Sequence, residues 1–244
     1  MPRYLLKIKY MGTAYHGWQV QPNGITVQQI LGDALKKITK QDIAVSGCSR
    51  TDAGVHANEF YCHFDTKDNF PKSAFVQGVN AILPDDISVL DVNEIDSSFH
   101  ARYNAKGKTY VYKFYDGEIR DPFLTKFTYF TAPKIDENKM NQFCKKIIGK
   151  HDFIGFSSSK RTVVDTVRTI SECFAKREGD IVSLFITADG FLYNMVRIIA
   201  GTALDVAYGK IAVENIDSVI NSKDRKMAGP TLPPHALFLE RVIY

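Results

Sequence analysis

One order of strand and helix patterns occurs twice along the 244 residues, and this limits the fold more than any single motif. In the first half RYLLKIKY (3–10) reads as a strand, followed by a loop rich in Gly, Pro and Asn. In TVQQILGDALKKITK (26–40), Val27, Ile30, Leu31, Ala34, Leu35 and Ile38 recur at helical spacing. Thr26 with Gln29 three residues on fits a capping box, in which each side chain satisfies a free N–H at the helix start. IAVSGC (43–48) and EFYCHFD (59–65) read as strands on either side of a glycine loop. A second helical pattern runs from Ser73 to Leu83 and stops at Pro84, and ISVLDVN (87–93) closes the set as a strand.

The second half follows the same order. GKTYVYKFY (107–115) alternates as a half-buried strand does, and a helix is expected over about 136–149. Two extended stretches, 163–176 and 180–188, flank the turn residues Glu178 and Gly179. FLYNMVRIIAGTALDVAYG (191–209) is helical, another short helix follows, and ALFLERVIY (236–244) is the last strand. The order βαββαβ is that of a ferredoxin-like split βαβ unit. The expected class is therefore α+β: two ferredoxin-like βαββαβ halves, 1–103 and 104–244, with antiparallel or mixed sheets joined around a central cleft.

Composition excludes several classes. With 45% hydrophobic and 24% charged residues the chain resembles an average soluble protein with a substantial core. No apolar run approaches the roughly 18 residues needed to cross a bilayer. MPRYLLKIKY carries Arg3, Lys7 and Lys9 through its apolar stretch, unlike a secretory leader, so a cytoplasmic protein is expected. Four cysteines at irregular positions argue against a disulfide scaffold. The net charge of +4 is mild but uneven: residues 1–103 sum to −1 and residues 104–244 to +5. The second half is thus the better candidate for touching phosphates.

GCSRTDAGVHA (47–57) is too glycine-rich for regular structure, yet it sets Arg50 two residues from Asp52. It is either a turn whose aspartate accepts local N–H bonds or a strand-end loop that presents a carboxylate. Arg197 is the only charged residue in FLYNMVRIIAGTAL (191–204), so its guanidinium needs an anionic partner or a path to water. If the halves face each other, Asp52 and Arg197 could meet. Tyr110 and Tyr112 share one face of their strand, either as core or as a surface on which a nucleobase stacks. Cys48, His56, Cys62 and His63 lack a zinc-type spacing, and a thiol hydrolase built on Cys48, His56 and Asp52 would lack an oxyanion site. Neither P-loop, GxGxxG nor HExxH is present, so no nucleotide and no metal is expected.

RTDAGVHA (50–57) closely resembles the aspartate loop of the tRNA pseudouridine synthase A family. The likeness continues through GWQVQP (17–22), TVQ (26–28), FHARYNAKGKTYVYKFY (99–115), DPF (121–123), HDFIGF (151–156), DTVRTI (165–170), FLYNMVRIIAG (191–201) and PPHALFLERVIY (233–244). It implies an isomerase that converts uridine to pseudouridine at tRNA positions 38 to 40 without a cofactor. Asp52 matches the family's essential aspartate, and Tyr110 the tyrosine that packs on the target uracil. Arg197 matches the arginine paired with the aspartate, and Arg50 the one associated with extruding the base. The resemblance also implies a homodimer that grips the tRNA anticodon arm. Ser49 and Ala236 stand where glycines are usual, so the backbone at Ser49 is expected to be strained or altered. These departures leave a relative with a different uridine target as one alternative, beside a non-catalytic RNA-binding protein with ferredoxin-like sheets.

Overall fold

The computed structural model describes residues 1–158 and 164–244. The protein is α+β and divides into two compact units, residues 1–106 with 238–244, and residues 107–237.

The first unit holds strands β1 (Arg3–Tyr10), β2 (Ser46–Gly47), β3 (His56–Asp65) and β4 (Ile87–Ile95), with helix α1 (Val27–Thr39). β1 pairs antiparallel with both β3 and β4, and β2 adds to β3, giving the order β4-β1-β3-β2. Alternation in β1 buries Tyr4, Leu6, Ile8 and Tyr10, and α1 buries Val27, Leu31, Ala34 and Leu35. Each buried Val, Leu or Ile among them contributes about 1.5–3 kcal/mol by leaving water. The Thr26 hydroxyl accepts the Gln29 N–H at 3.3 Å, and α1 ends where Lys40 turns left-handed at φ +60.

Three details differ from the sequence reading. The strand expected over 43–48 shrinks to Ser46–Gly47, which pair with His63 and Cys62 of β3, and a Cβ on Gly47 would lie 2.5 Å from the Trp18 indole nitrogen. β3 begins at His56, so the end of the glycine loop is already strand. Helical backbone covers 72–80 and is wound as a π-helix over Ala74–Gly78, with Phe75 buried beneath it.

His63 on β3 is buried, its Nδ1 accepts the Ala101 N–H at 3.2 Å, and its ring meets that of His100 edge-on at 4.6 Å. Burial, with a smaller push from His100, takes the imidazole down to about 4. An unfolded histidine titrates near 6.5, so between those values the unfolded chain binds more protons. The stabilisation is full above about pH 6.5 and is lost as pH falls towards 4, by an amount on the order of 2–3 kcal/mol. Urea midpoints at pH 7 and pH 5 should show this loss, and His63→Gln should remove most of it. An equal pH response in the variant would contradict the assignment.

The second unit holds β5 (Gly107–Tyr115), β6 (Tyr129–Phe130), α2 (Glu137–Ile147), β7 (Gly149–Asp152), β8 (Val167–Glu178), β9 (Ile181–Ala188), α3 (Met195–Ala207) and α4 (Ile216–Ser222). Its sheet runs β5-β9-β8-β7 with antiparallel neighbours, and β6 lies parallel to β5. Gly179 at φ +60 makes the tight turn between β8 and β9. The extended stretch expected from 163 begins outside the described residues, and β8 itself starts at Val167. The helix expected from 191 starts instead at Met195, since Asn194 sits at φ +60, where a right-handed helix cannot continue. The last strand, β10 (Leu237–Ile243), follows the second half in sequence. It pairs in parallel with β3 through Phe238↔His56 and Leu239↔Ala57, which returns the chain end to the first unit.

Asp116, 1% exposed, locks the end of β5. Its carboxylate accepts both Arg177 terminal nitrogens at 2.9 Å and the Ile135 N–H at 2.9 Å. Burial raises its pKa, but Arg177 and the Ile135 N–H outweigh that and hold it below the usual carboxylate value. Removing one partner of such a pair leaves a poorly compensated charge, which costs about 3–5 kcal/mol. Asp116→Ala should lower unfolding stability by that amount in guanidinium titrations. A loss under 1 kcal/mol would show the pair to be dispensable.

Candidate active site

The loop between β2 and β3 is fixed by the chain that follows β1. The Thr51 hydroxyl is 2.8 Å from that of Tyr10, and the Thr51 carbonyl accepts the Trp18 N–H at 3.2 Å. Gly54, at φ +79, donates its N–H to the Tyr15 carbonyl at 3.2 Å, and the Asp52 carbonyl accepts the Val55 N–H at 3.2 Å. Backbone approaches are closer still. A Cβ on Gly12 would lie 2.0 Å from the Val55 oxygen, and one on Gly17 would lie 2.5 Å from the Thr51 oxygen. Gly12 N–H also donates to His56 Nδ1 at 3.0 Å, and the His56 ring stacks on Phe238 at 4.6 Å.

A solvated turn needs none of these ties. Residues 10–18 and 51–56 form one interlocked backbone, and Asp52 stands half-buried at a fixed point on it while Arg50 is exposed. A carboxylate held this way is suited to act as a general base or as a nucleophile. The backbone at Ser49 is not left-handed: among the described residues the positive-φ positions other than glycine are Lys40, Asn194 and Lys223. Cys48 lies wholly inside the unit, where its sulfur accepts the Tyr61 N–H at 3.4 Å, the setting of an inert thiol rather than of an exposed nucleophile. Among the described residues no three His, Cys, Asp or Glu side chains are grouped so as to hold a metal ion.

In the second unit Tyr110 on β5 is 7% exposed and meets Phe191 edge-on at 5.0 Å. Tyr112 on the same face is core, its hydroxyl donating to the Pro233 carbonyl at 2.9 Å, and burial pushes its phenol far up. Of the two tyrosines, Tyr110 is the one at the margin of the packed face. Arg197 on α3 is half-buried and not left to water alone. Its Nε donates to the Leu232 carbonyl at 2.6 Å and its Nη1 to Asn194 Oδ1 at 2.8 Å. The segment that supplies Leu232 lies hard against α3, because a Cβ on Gly201 would lie 2.0 Å from the Pro230 oxygen. The guanidinium is thereby aimed by fixed backbone.

Asp52 and Arg50 share the loop of the first unit, while Tyr110 and Arg197 belong to the second. Sequence reasoning missed the residues that hold them: Tyr10, Gly12, Gly17, Trp18, Phe191, Asn194 and Leu232. Gly17 and Trp18 stand in GWQVQP and Phe191 and Asn194 in FLYNMVRIIAG, segments of the family likeness, but nothing in the sequence marks their holding role.

The family profile described as tRNA pseudouridine synthase matches residues 7–104 and 143–244. A curated relative, tRNA pseudouridine synthase A of Caldicellulosiruptor saccharolyticus, is 45% identical over 244 residues, which span the whole of both chains. The tRNA pseudouridine synthase A 2 of Clostridium perfringens is 44% identical over 239 residues, 98% of each chain. The tRNA pseudouridine synthase A of Clostridium kluyveri is 44% identical over 244 residues, again the whole of both.

Proposed function

The chain belongs to the tRNA pseudouridine synthase family, and from that membership we propose that it isomerises uridine to pseudouridine at positions 38 to 40 in the anticodon arm of tRNA, with Asp52 as the essential carboxylate. The observation that carries the reading is the interlocked loop at 51–56, which fixes Asp52 through Thr51, Gly17 and Gly54.

The reaction breaks the C1′–N1 bond of uridine and forms a C1′–C5 bond. C5 gives up its proton, N1 gains one, and no electrons are exchanged with a cofactor. Asp52 acts either as nucleophile at C1′ or as the base that removes a ribose proton. Tyr110 packs on the uracil, Arg197 stands where the family has its functional arginine, and exposed Arg50 helps hold the nucleotide out of its stack. Extrusion costs a few kcal/mol, which gives those side chains their purpose. The same reading takes the first unit as carrier of the aspartate and the more basic second half as the larger phosphate-binding surface. It also takes the working form as a cytoplasmic homodimer on one tRNA.

The test is incubation of the purified chain with an unmodified anticodon stem-loop transcript, in chelator and without nucleotides, followed by position mapping. Pseudouridine should arise at 38 to 40. Binding without conversion would turn the protein into an RNA-binding module, and conversion only elsewhere would make it a relative with another target.

A further inference from the structure

The segment after β4 carries an exposed aromatic on a rigid mount. Tyr103 is 77% exposed, and one face of its ring stacks on His100 at 4.2 Å and 29°. His100 is itself held: its N–H donates to Asn104 Oδ1 at 2.7 Å, and its Nδ1 accepts the N–H groups of Arg102 at 3.1 Å and Tyr103 at 3.4 Å. Ala101 is tied at both backbone groups, to His63 Nδ1 at 3.2 Å and to the Tyr244 hydroxyl at 2.8 Å. Arg3 donates to the carbonyls of Ser97 and Phe99, and Lys106 N–H donates to the Ile243 carbonyl at 2.8 Å.

The charge is one-sided. SSFHARYNAK (97–106) holds Arg102 and Lys106 and no acidic residue. The Arg102 guanidinium lies 5.9 Å from the Tyr103 ring centroid. A largely exposed aromatic backed by an imidazole, with Arg102 near its ring and Lys106 three residues on, matches what a single-stranded nucleic acid requires: a π-surface for a base and positive charge for its phosphates. The fixed mount means that little ordering entropy is lost on contact.

We propose that Tyr103 stacks an unpaired base of the RNA substrate outside the target nucleotide, with Arg102 and Lys106 on the adjoining phosphates. This rests on the reading that the substrate is tRNA. It adds a contact that governs affinity rather than the chemical step.

The test uses the anticodon-arm transcript with three variants, measuring Kd, KM and kcat. Tyr103→Ala should weaken binding about 5- to 100-fold, the range of one lost base stack, and raise KM in proportion with kcat unchanged. Tyr103→Phe keeps the ring and should stay within about twofold of wild type. Arg102→Ala should lower the slope of log Kd against log salt by about one. Melting curves check that each variant is folded, as the exposure of Tyr103 leads one to expect. Wild-type conversion with unchanged Kd for Tyr103→Ala, or Tyr103→Phe as weak as Tyr103→Ala, would overturn the stacking role alone and point to another partner for this surface. A wild-type chain that neither binds nor converts the transcript would remove the functional reading, and this contact with it.

Discussion

Asp52→Ala should leave tRNA bound and nearly abolish pseudouridine formation. Whether the carboxylate attacks C1′ or removes a ribose proton, no other group on the loop 48–55 offers an equivalent, since Thr51 is committed to Tyr10 and Cys48 is buried. A positioned base or nucleophile is worth roughly 100- to 10,000-fold in rate, so single-turnover rates between about one hundredth and one ten-thousandth of wild type are expected. Binding should change little, because removing an anion from the path of a polyanion costs no phosphate contact. A Kd within about threefold of wild type would agree with that. Turnover within tenfold of wild type would remove Asp52 from the chemistry.

Gly17→Ala should damage the same step without touching a reacting group. Gly17 sits at φ +84, where an L side chain costs about 1–2 kcal/mol. The added Cβ would meet the Thr51 backbone oxygen at 2.5 Å, and a peptide group cannot swing aside as a side-chain tip can. The strain passes directly to Asp52, one residue on. A displacement of about 1 Å at a catalytic group can cost 100-fold, so a fall in kcat of that order is expected, with a stability loss of about 2–4 kcal/mol. Gly32→Ala is the control. Nothing lies within 4 Å of a Cβ there, and in the interior of α1 alanine should gain about 0.5–1 kcal/mol. Equal kcat for Gly17→Ala and Gly32→Ala would show that the loop is not held from residue 17.

Much of the fold was legible because local chemistry decided it. Thr26 and Gln29 marked the start of α1, alternation marked β1 and β5 to within a residue, and Gly179 marked the turn between β8 and β9. What was not legible depends on contacts far along the chain. The late start of α3 follows from the left-handed Asn194, a backbone state that residue type alone does not announce. The union of β10 with β3 is a pairing choice that periodicity cannot express. The site divides in the same way. Asp52, Arg50, Tyr110 and Arg197 were singled out by residue type and resemblance. The clamps at Gly17 and Leu232 act through backbone atoms, which leave almost no mark on composition, and those at Tyr10 and Asn194 are side chains whose partners, Thr51 and Arg197, only the folded chain identifies. At Ser49, where the missing glycine left strain or an altered backbone as alternatives, the backbone is not left-handed.

The most direct test is release of tritium from C5-labelled uridine in unmodified tRNA, with chelator present and no nucleotide added. One tritium should reach water for each pseudouridine formed with the wild-type chain, and none with Asp52→Asn at concentrations where both proteins are fully bound. Equal release by the two proteins, or conversion without release, would contradict an isomerisation centred on that carboxylate.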